Sequence, residues 1–223
     1  MQDIRTLTLD LDDTLWAIHP VIVRAERALY TWLREHYPRI TELFSPEDVL
    51  QLRNDIVAEH WDKSHDFYFL RRKVLSKISH AAGYGDAPVD DAMTVFQALR
   101  NDVEVFPEVR PALDALGEKY CVIAVTNGNA NLEAIGLRDL FDDVVSATSA
   151  GAAKPARQIF DVAVSAGGAD HHETLHVGDH PEADVVGANE AGLRSVWVNR
   201  DGADWPDRSE EHTSELQSLT NLV

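Results

Sequence analysis

Residues 6–16, Thr-Leu-Thr-Leu-Asp-Leu-Asp-Asp-Thr-Leu-Trp, restrict the fold of this chain more than any other stretch. A β-favouring apolar run containing Ile4, Leu7 and Leu9 stops at three carboxylates, Asp10, Asp12 and Asp13. Carboxylates are rare in buried strands unless something pairs them. A run that is apolar along its length and acidic at its end therefore describes a strand of an open parallel sheet, whose ligands bind beyond the carboxyl ends of the strands. Asp10 and Asp12 are two residues apart and can point into the same space at the strand exit. Converging carboxylates repel unless a cation or a shared proton lies between them, so the pair points to a metal site. Taken alone, the spacing equally describes a polar turn in which Asp13 or Thr14 caps a following helix.

Beyond Trp16 the pattern turns helical. Apolar residues recur at helical spacing from Val21 to Leu33, with Pro20 suited to a first turn and Pro38 to a stop, which predicts a helix over 21–37. Ser45-Pro46-Glu47-Asp48 is a helix start, with a capping serine, proline at the first position and acids that suit the helix dipole. That helix runs to about residue 60, and others cover 67–82, ending at Gly83, and 90–100. Residues 17–103 thus read as a helical block. The pattern then alternates: a helix over 107–117, a strand over 120–126, a helix over 132–135 and a strand at 144–145. A helix over 155–166, a strand over 174–177, a helix over 182–191 and a strand over 195–198 complete it. This alternation predicts a doubly wound parallel sheet with helices on both faces, a three-layer α/β/α Rossmann-like core. The helical block is an insertion after the first strand, over the carboxyl edge of the sheet. The expected division is 1–16 and 104–207 for the core, and 17–103 for the insertion.

Residues 208–218 read as an in-frame translation of a common short-read sequencing adapter, and 219–223 as its continuation. Residues 208–223 are therefore set aside as a non-native tail that packs poorly. The alternative is an amphipathic C-terminal helix with Leu216, Leu219 and Leu222 on one face.

With a net charge of −18, nucleic acid and anionic membranes are poor partners. An acidic protein that handles a phosphate ester needs local cations, and a divalent metal plus a lysine would serve. The one cysteine, Cys121, lies in an apolar run and reads as a buried structural thiol. No apolar run approaches the roughly 20 residues of a membrane helix, and no signal-peptide pattern opens the chain. These features predict a cytoplasmic protein.

Four signals fall at or just beyond predicted strand ends. They are Asp10-x-Asp12-x-Thr14, Thr126-Asn127, Lys154-Pro155, and Gly178-Asp179 with Asp184. Each has a plain reading as a turn, a cap or a solvated lysine, but their order and context together point to function. On these residues the chain resembles the haloacid-dehalogenase-superfamily hydrolases with a helical cap inserted after the first motif. Within them it is similar to bacterial phosphatases of flavin mononucleotide and of 5-amino-6-(5-phospho-D-ribitylamino)uracil. The segments that carry the resemblance are residues 10–16, 125–130, 136–137 and 175–179.

The resemblance implies that Asp10 attacks phosphorus and forms an aspartyl-phosphate, which divides one hard displacement into two easier ones. It implies that Asp12 protonates the leaving alkoxide and then deprotonates the hydrolytic water. Magnesium would be held by Asp10, the backbone carbonyl of Asp12, and Asp179. Thr126 and the Asn127 amide would hold phosphate oxygens, and Lys154 would add fixed positive charge. Asp184 would orient the metal shell or Lys154, and Asp13 and Thr14 would shape the loop.

Asp12 also separates chemistries. Halide leaves without a proton, whereas an alkoxide needs one, so a phosphate ester is favoured over a carbon–halogen bond. The remaining alternatives are a nucleoside 5′-monophosphatase, a sugar phosphomutase, and a phosphate-binding module without turnover. The expected partner is a small phosphorylated metabolite, and the chain acts as a monomer or homodimer. In the insertion, Trp61, Phe67 and Tyr68 read first as helix-packing aromatics and second as a platform for a flat ring. Arg71 and Arg72 read first as solvated and second as a grip for a polar tail. Trp16 and His19 read as packing residues or as contacts close to the nucleophile. No histidine, His176 and His180 included, has the spacing of a zinc site.

Overall fold

The computed structural model describes residues 4–205. The expectations for 208–223 lie outside the described residues.

Strand β1 (Thr6–Leu9) is buried at every position. The chain then runs through a helical unit of α1 (Ile18–His36), α2 (Pro38–Leu43), α3 (Pro46–Glu59), α4 (Phe67–Ala81) and α5 (Val89–Arg100). It continues with α6 (Val109–Gly117), β2 (Cys121–Thr126), α7 (Leu132–Ile135), β3 (Asp143–Ser146), α8 (Ala147–Ala150) and α9 (Arg157–Gly167). Strand β4 (Thr174–Gly178), α10 (Gly187–Ala191) and β5 (Arg194–Trp197) come last.

The five strands are all parallel, in the order β3-β2-β1-β4-β5. Leu9, the last residue of β1, sits level with Ala124 on one side and Val177 on the other, and β2 and β4 run on past it to Thr126 and Gly178. Ile123 and Val125 of β2 pack with Ile159, Phe160 and Ala163 of α9 and with Ala188 and Ala191 of α10. Val122 and Ala124 alternate to the opposite face, and α6 also lies against β2. This is the three-layer α/β/α sheet expected from the alternation. Because β1 has β2 on one side and β4 on the other, the chain reverses its direction of winding there, and a crevice opens at such a switch point.

The chain divides into two compact units. One holds residues 4–17, 104–128 and 132–205; the other holds Ile18–Val103 with Asn129–Asn131. Within the helical unit, Ala25, Leu29 and Leu33 of α1 share a core with Leu75 and Ile78 of α4 and Met93 and Phe96 of α5. Helix α3 begins as its sequence requires: the Ser45 hydroxyl accepts the Asp48 N–H at 3.2 Å, and the Ser45 N–H donates to the Asp48 carboxylate at 2.8 Å. Gly83 follows the end of α4 with φ +77°, a conformation that strains any residue with a Cβ. Among the described residues no helix is long and apolar enough to cross a membrane.

Four expectations need correcting. Pro38 does not simply stop a helix; it opens α2, because proline at a first helical position gives up only an N–H that has no helical partner. The single helix expected over 182–191 is a π-helical turn (Pro181–Val186) followed by α10. Trp61, Phe67 and Tyr68 do not pack helices together, being 76%, 51% and 45% exposed. Arg71, read as solvated, instead lies over the Phe96 ring and pairs with Glu26 at 2.8 Å.

Candidate active site

The carboxyl ends of the neighbouring strands β1, β2 and β4 carry Asp10, Thr126 and Asp179 to the same edge of the sheet. Asp10 follows the last residue of β1 and is pinned to the neighbouring strand, its N–H donating to the Val177 carbonyl at 2.8 Å. The residue is 7% exposed. The Lys154 ammonium, itself buried, donates to Asp10 Oδ1 at 2.5 Å, to Asp184 Oδ1 at 2.6 Å and to the Val125 carbonyl at 3.0 Å. Three N–H groups meet three acceptors, so the ammonium is saturated.

Asn127 explains how a loop residue reaches that position. Its side-chain oxygen accepts the Lys154 N–H at 2.7 Å, and its side-chain NH2 donates to the Lys154 carbonyl at 3.0 Å. The Asn127 side chain is thus engaged in tying the Lys154 segment to the end of β2. Pro155 packs so closely on Gly187 that a Cβ there would come within 2.7 Å of the proline ring. The Thr126 hydroxyl accepts the Gly128 N–H at 2.9 Å, and a hydroxyl in that role still has its own proton to donate.

Asp184 is carried in by the π-helical turn, a device common at functional sites. Its Oδ2 accepts the His180 N–H at 2.8 Å, and its Oδ1 faces His176 Nε2 at 3.1 Å. Gly178 permits this approach, since a Cβ on it would lie 2.3 Å from the Asp184 carboxyl carbon. The Asp179 carboxylate accepts from the Thr14 hydroxyl at 2.9 Å, and its carbonyl accepts from the Trp197 indole at 2.7 Å. Thr14 also lies 3.4 Å from Asp10 Oδ2. A hydroxyl has one proton, and the shorter distance assigns it to Asp179. Thr14, read as loop-shaping, therefore connects two of the acids.

Asp12 is turned differently. Its carboxylate accepts the Trp16 indole N–H at 2.9 Å. Trp16 is fully buried, so the packing reading of that residue holds, with the added contact to Asp12. The turn that joins them closes through the Asp13 N–H to the Trp16 carbonyl at 2.8 Å, with Asp13 at φ +62°.

The electrostatics stem from one ammonium among three carboxylates. Burial pushes the Asp10 carboxyl up to about 8, against the opposing pull of Lys154. Burial likewise raises Asp179. Burial also acts on Asp184, but Lys154 and His176 outweigh it and hold this carboxyl far below the usual range. Lys154 touches both Asp10 and Asp184, yet only Asp184 is held ionised. The reason is that Asp184 also collects the His180 N–H and His176, so the negative charge settles there. Lys154 is desolvated, but Asp10 and Asp184 outweigh that and keep it charged.

Asp10 and Asp179 are left short of positive charge. Oxygens of Asp10, Asp179 and Asp184 lie within 4.8 Å of one another, and hard oxygen donors so placed suit magnesium. The donor set and its charge deficit fit a divalent cation. The third carboxylate of the group is Asp184; the Asp12 side chain is directed to Trp16.

A parallel sheet with acids, a threonine and a lysine at its carboxyl edge places the chain among known enzymes. It belongs to the haloacid dehalogenase-like hydrolase family, whose model matches residues 4–192. Among curated proteins it is 33% identical to the 5-amino-6-(5-phospho-D-ribitylamino)uracil phosphatase YigB of Escherichia coli K12, over 99% of this chain and 96% of that protein. It is 40% identical to the pyrimidine 5′-nucleotidase YjjG of the same organism, over 43% of this chain and 45% of that one. Among solved structures it is similar to one described as a 2-haloacid dehalogenase from Pseudomonas syringae pv. tomato DC3000. That similarity has a TM-score of 0.88 at 36% identity, over 92% of this chain and 91% of that one.

The contacts of His176 to Asp184, of Thr14 to Asp179 and of the Asn127 side chain to Lys154 were not read from the sequence. His176 had a signal: it is the one basic residue inside the run Leu175-His176-Val177 of a buried strand.

Proposed function

We propose that the protein is a magnesium-dependent phosphomonoesterase that works through an aspartyl-phosphate on Asp10. The Asp10 carboxylate held against the Lys154 ammonium, two residues before a second acid, carries this reading. Asp10 attacks phosphorus, and the leaving alkoxide takes a proton from Asp12. Asp12 then removes a proton from water, which attacks phosphorus and frees Asp10. Lys154 holds positive charge beside the transferred group throughout, and the Thr126 hydroxyl donates to a phosphate oxygen. Asp10 and Asp179, with the backbone carbonyl of Asp12, would hold magnesium. Magnesium, when bound, neutralises phosphate oxygens and keeps Asp10 ionised.

The relation to YigB supports 5-amino-6-(5-phospho-D-ribitylamino)uracil as a substrate, and the resemblance read in the sequence adds flavin mononucleotide. The exposed aromatic faces of Trp61, Phe67 and Tyr68 are suited to stack on a flat ring. A small soluble metabolite also accords with the cytoplasmic residence read from the sequence. The test is phosphate release over a panel of phosphomonoesters with and without magnesium. Release that needs magnesium and favours the two flavin-related substrates is expected; preference for pyrimidine monophosphates would replace the substrate with that of a nucleotidase.

A second reading is a dehalogenase, favoured by the structure from Pseudomonas syringae. Asp12 opposes it, because a halide needs no acid. Chloride release from 2-chloropropionate without magnesium, and no phosphate release, would establish it.

A further inference from the structure

His176 has a place in this site that the reaction does not require of it directly. It is fully buried in the middle of β4, with Phe160 edge-on to its ring at 5.2 Å. Its Nδ1 lies 2.8 Å from the Thr8 hydroxyl of the adjacent strand, and its Nε2 lies 3.1 Å from Asp184 Oδ1. An ionised carboxylate can only accept, so the contact to Asp184 is made by a proton on Nε2 whatever the charge of the ring. The Thr8 hydroxyl holds the other side of the ring at Nδ1. The line of contacts therefore runs from Thr8 through His176 and Asp184 to Lys154.

We propose that His176 is a positioning residue for phosphoryl transfer, whose Nε2–H fixes the Asp184 carboxylate and, through it, the Lys154 ammonium. This inference rests on the phosphatase reading. Asp184 is held on three sides, by the His180 N–H, by His176 and by the close face of Gly178. Lys154 consequently has two anchors, Asp184 and the Val125 carbonyl, that do not depend on Asp10. That independence matters when the Asp10 carboxylate is phosphorylated and its oxygens no longer carry the carboxylate charge. A lysine held only by Asp10 would lose its anchor at that moment, whereas one held by Asp184 keeps its place beside the phosphoryl oxygens. Without the His176 donor, Asp184 Oδ1 keeps only Lys154 itself as a partner, and the His180 N–H on Oδ2 is the one fixed donor left to orient the carboxylate that anchors the ammonium.

His176→Gln and His176→Asn separate this role from simple packing. Glutamine places an N–H near the former Nε2 and keeps the contact to Asp184; asparagine reaches only as far as Nδ1 and keeps the contact to Thr8. With flavin mononucleotide as substrate, His176→Asn is expected to lower kcat on the order of tenfold or more, with little change in KM, as outer partners of catalytic groups do. His176→Gln is expected to stay within about threefold of wild type, with thermal midpoints of the two variants alike. Nitrogen-15 NMR of the wild-type ring is expected to show Nε2 protonated. The slowly exchanging Lys154 ammonium signal is expected to persist in His176→Gln and to vanish in His176→Asn. Equal kcat in the two variants, or an ammonium signal that survives in His176→Asn, overturns the inference. If wild type hydrolyses none of the phosphomonoesters, the phosphatase reading fails, and the NMR signals still decide whether His176 positions Lys154.

Discussion

Replacing Asp10 by asparagine stabilises the metal-free protein, although it removes the residue on which the chemistry turns. Burial raises the Asp10 carboxyl from 3.8 to about 8, so the folded chain binds this proton more tightly than the unfolded chain does. Stability from the group is then complete below about pH 4 and is lost as pH rises toward 8. Each tenfold change in proton affinity is worth about 1.4 kcal/mol, so the loss at pH 7 reaches about 4 kcal/mol. Asparagine is neutral and still offers an oxygen to Lys154, so it removes this loss. It gives back about 2 kcal/mol through a weaker contact with the ammonium and an amide in place of a hydroxyl. The net gain is about 2 kcal/mol at pH 7 and close to zero at pH 5. Urea unfolding of both proteins in EDTA at the two pH values measures it. Added magnesium is expected to raise wild type and narrow the gap. A variant less stable than wild type at both pH values, or a difference that does not change with pH, would refute the reasoning.

Other consequences are as direct. Asp12→Asn lowers kcat on flavin mononucleotide about a hundredfold but has a much smaller effect on p-nitrophenyl phosphate, whose leaving group needs no proton; steady-state kinetics on both substrates compares them. Gly178→Ala forces Asp184 away, since a Cβ would sit 2.3 Å from its carboxyl carbon. It costs about 2–3 kcal/mol by overpacking, with most of the activity, as read by thermal unfolding and phosphate release. Trp16→Phe removes the indole donor from Asp12 and lowers stability by about 2 kcal/mol and kcat severalfold; a variant with unchanged kcat would show that the contact does not orient the acid. Asp184 is held low in the folded state, so its stability is present above the ordinary carboxylate range and is lost as pH falls below about 4. Asp184→Asn is expected to flatten that acid limb of the stability curve.

How much of this could be read from the sequence depends on the range of each interaction. The parallel sheet was legible because five apolar runs alternate with helical spacing, and the start of α3 because Ser45 and Asp48 satisfy each other within one turn. Asp10, Lys154, Asp179 and Asp184 were legible as a group because each follows the end of a buried strand or opens a turn beyond one. Their partners were not. Asn127 at the end of β2 reads as a turn residue, and nothing local shows that its side chain holds Lys154, 27 residues away. His176 lies in an apolar run, but its two contacts come from another strand and from the π-helical turn. The exposure of Trp61 was hidden for the same reason, since aromatics at helical spacing look alike whether or not a neighbouring helix covers them. Local chemistry writes itself into spacing; contacts between elements do not.

The claim that Asp10 takes the phosphoryl group has a direct measurement. The enzyme is mixed with a slight excess of flavin mononucleotide and magnesium, quenched in acid at millisecond intervals, and digested with trypsin. The peptide of residues 6–24 is expected to gain the mass of one phosphoryl group, located on Asp10 by fragmentation, and to lose it as phosphate appears. Phosphate formed at full rate with that peptide unmodified at every interval, or full activity in Asp10→Asn, would contradict the mechanism.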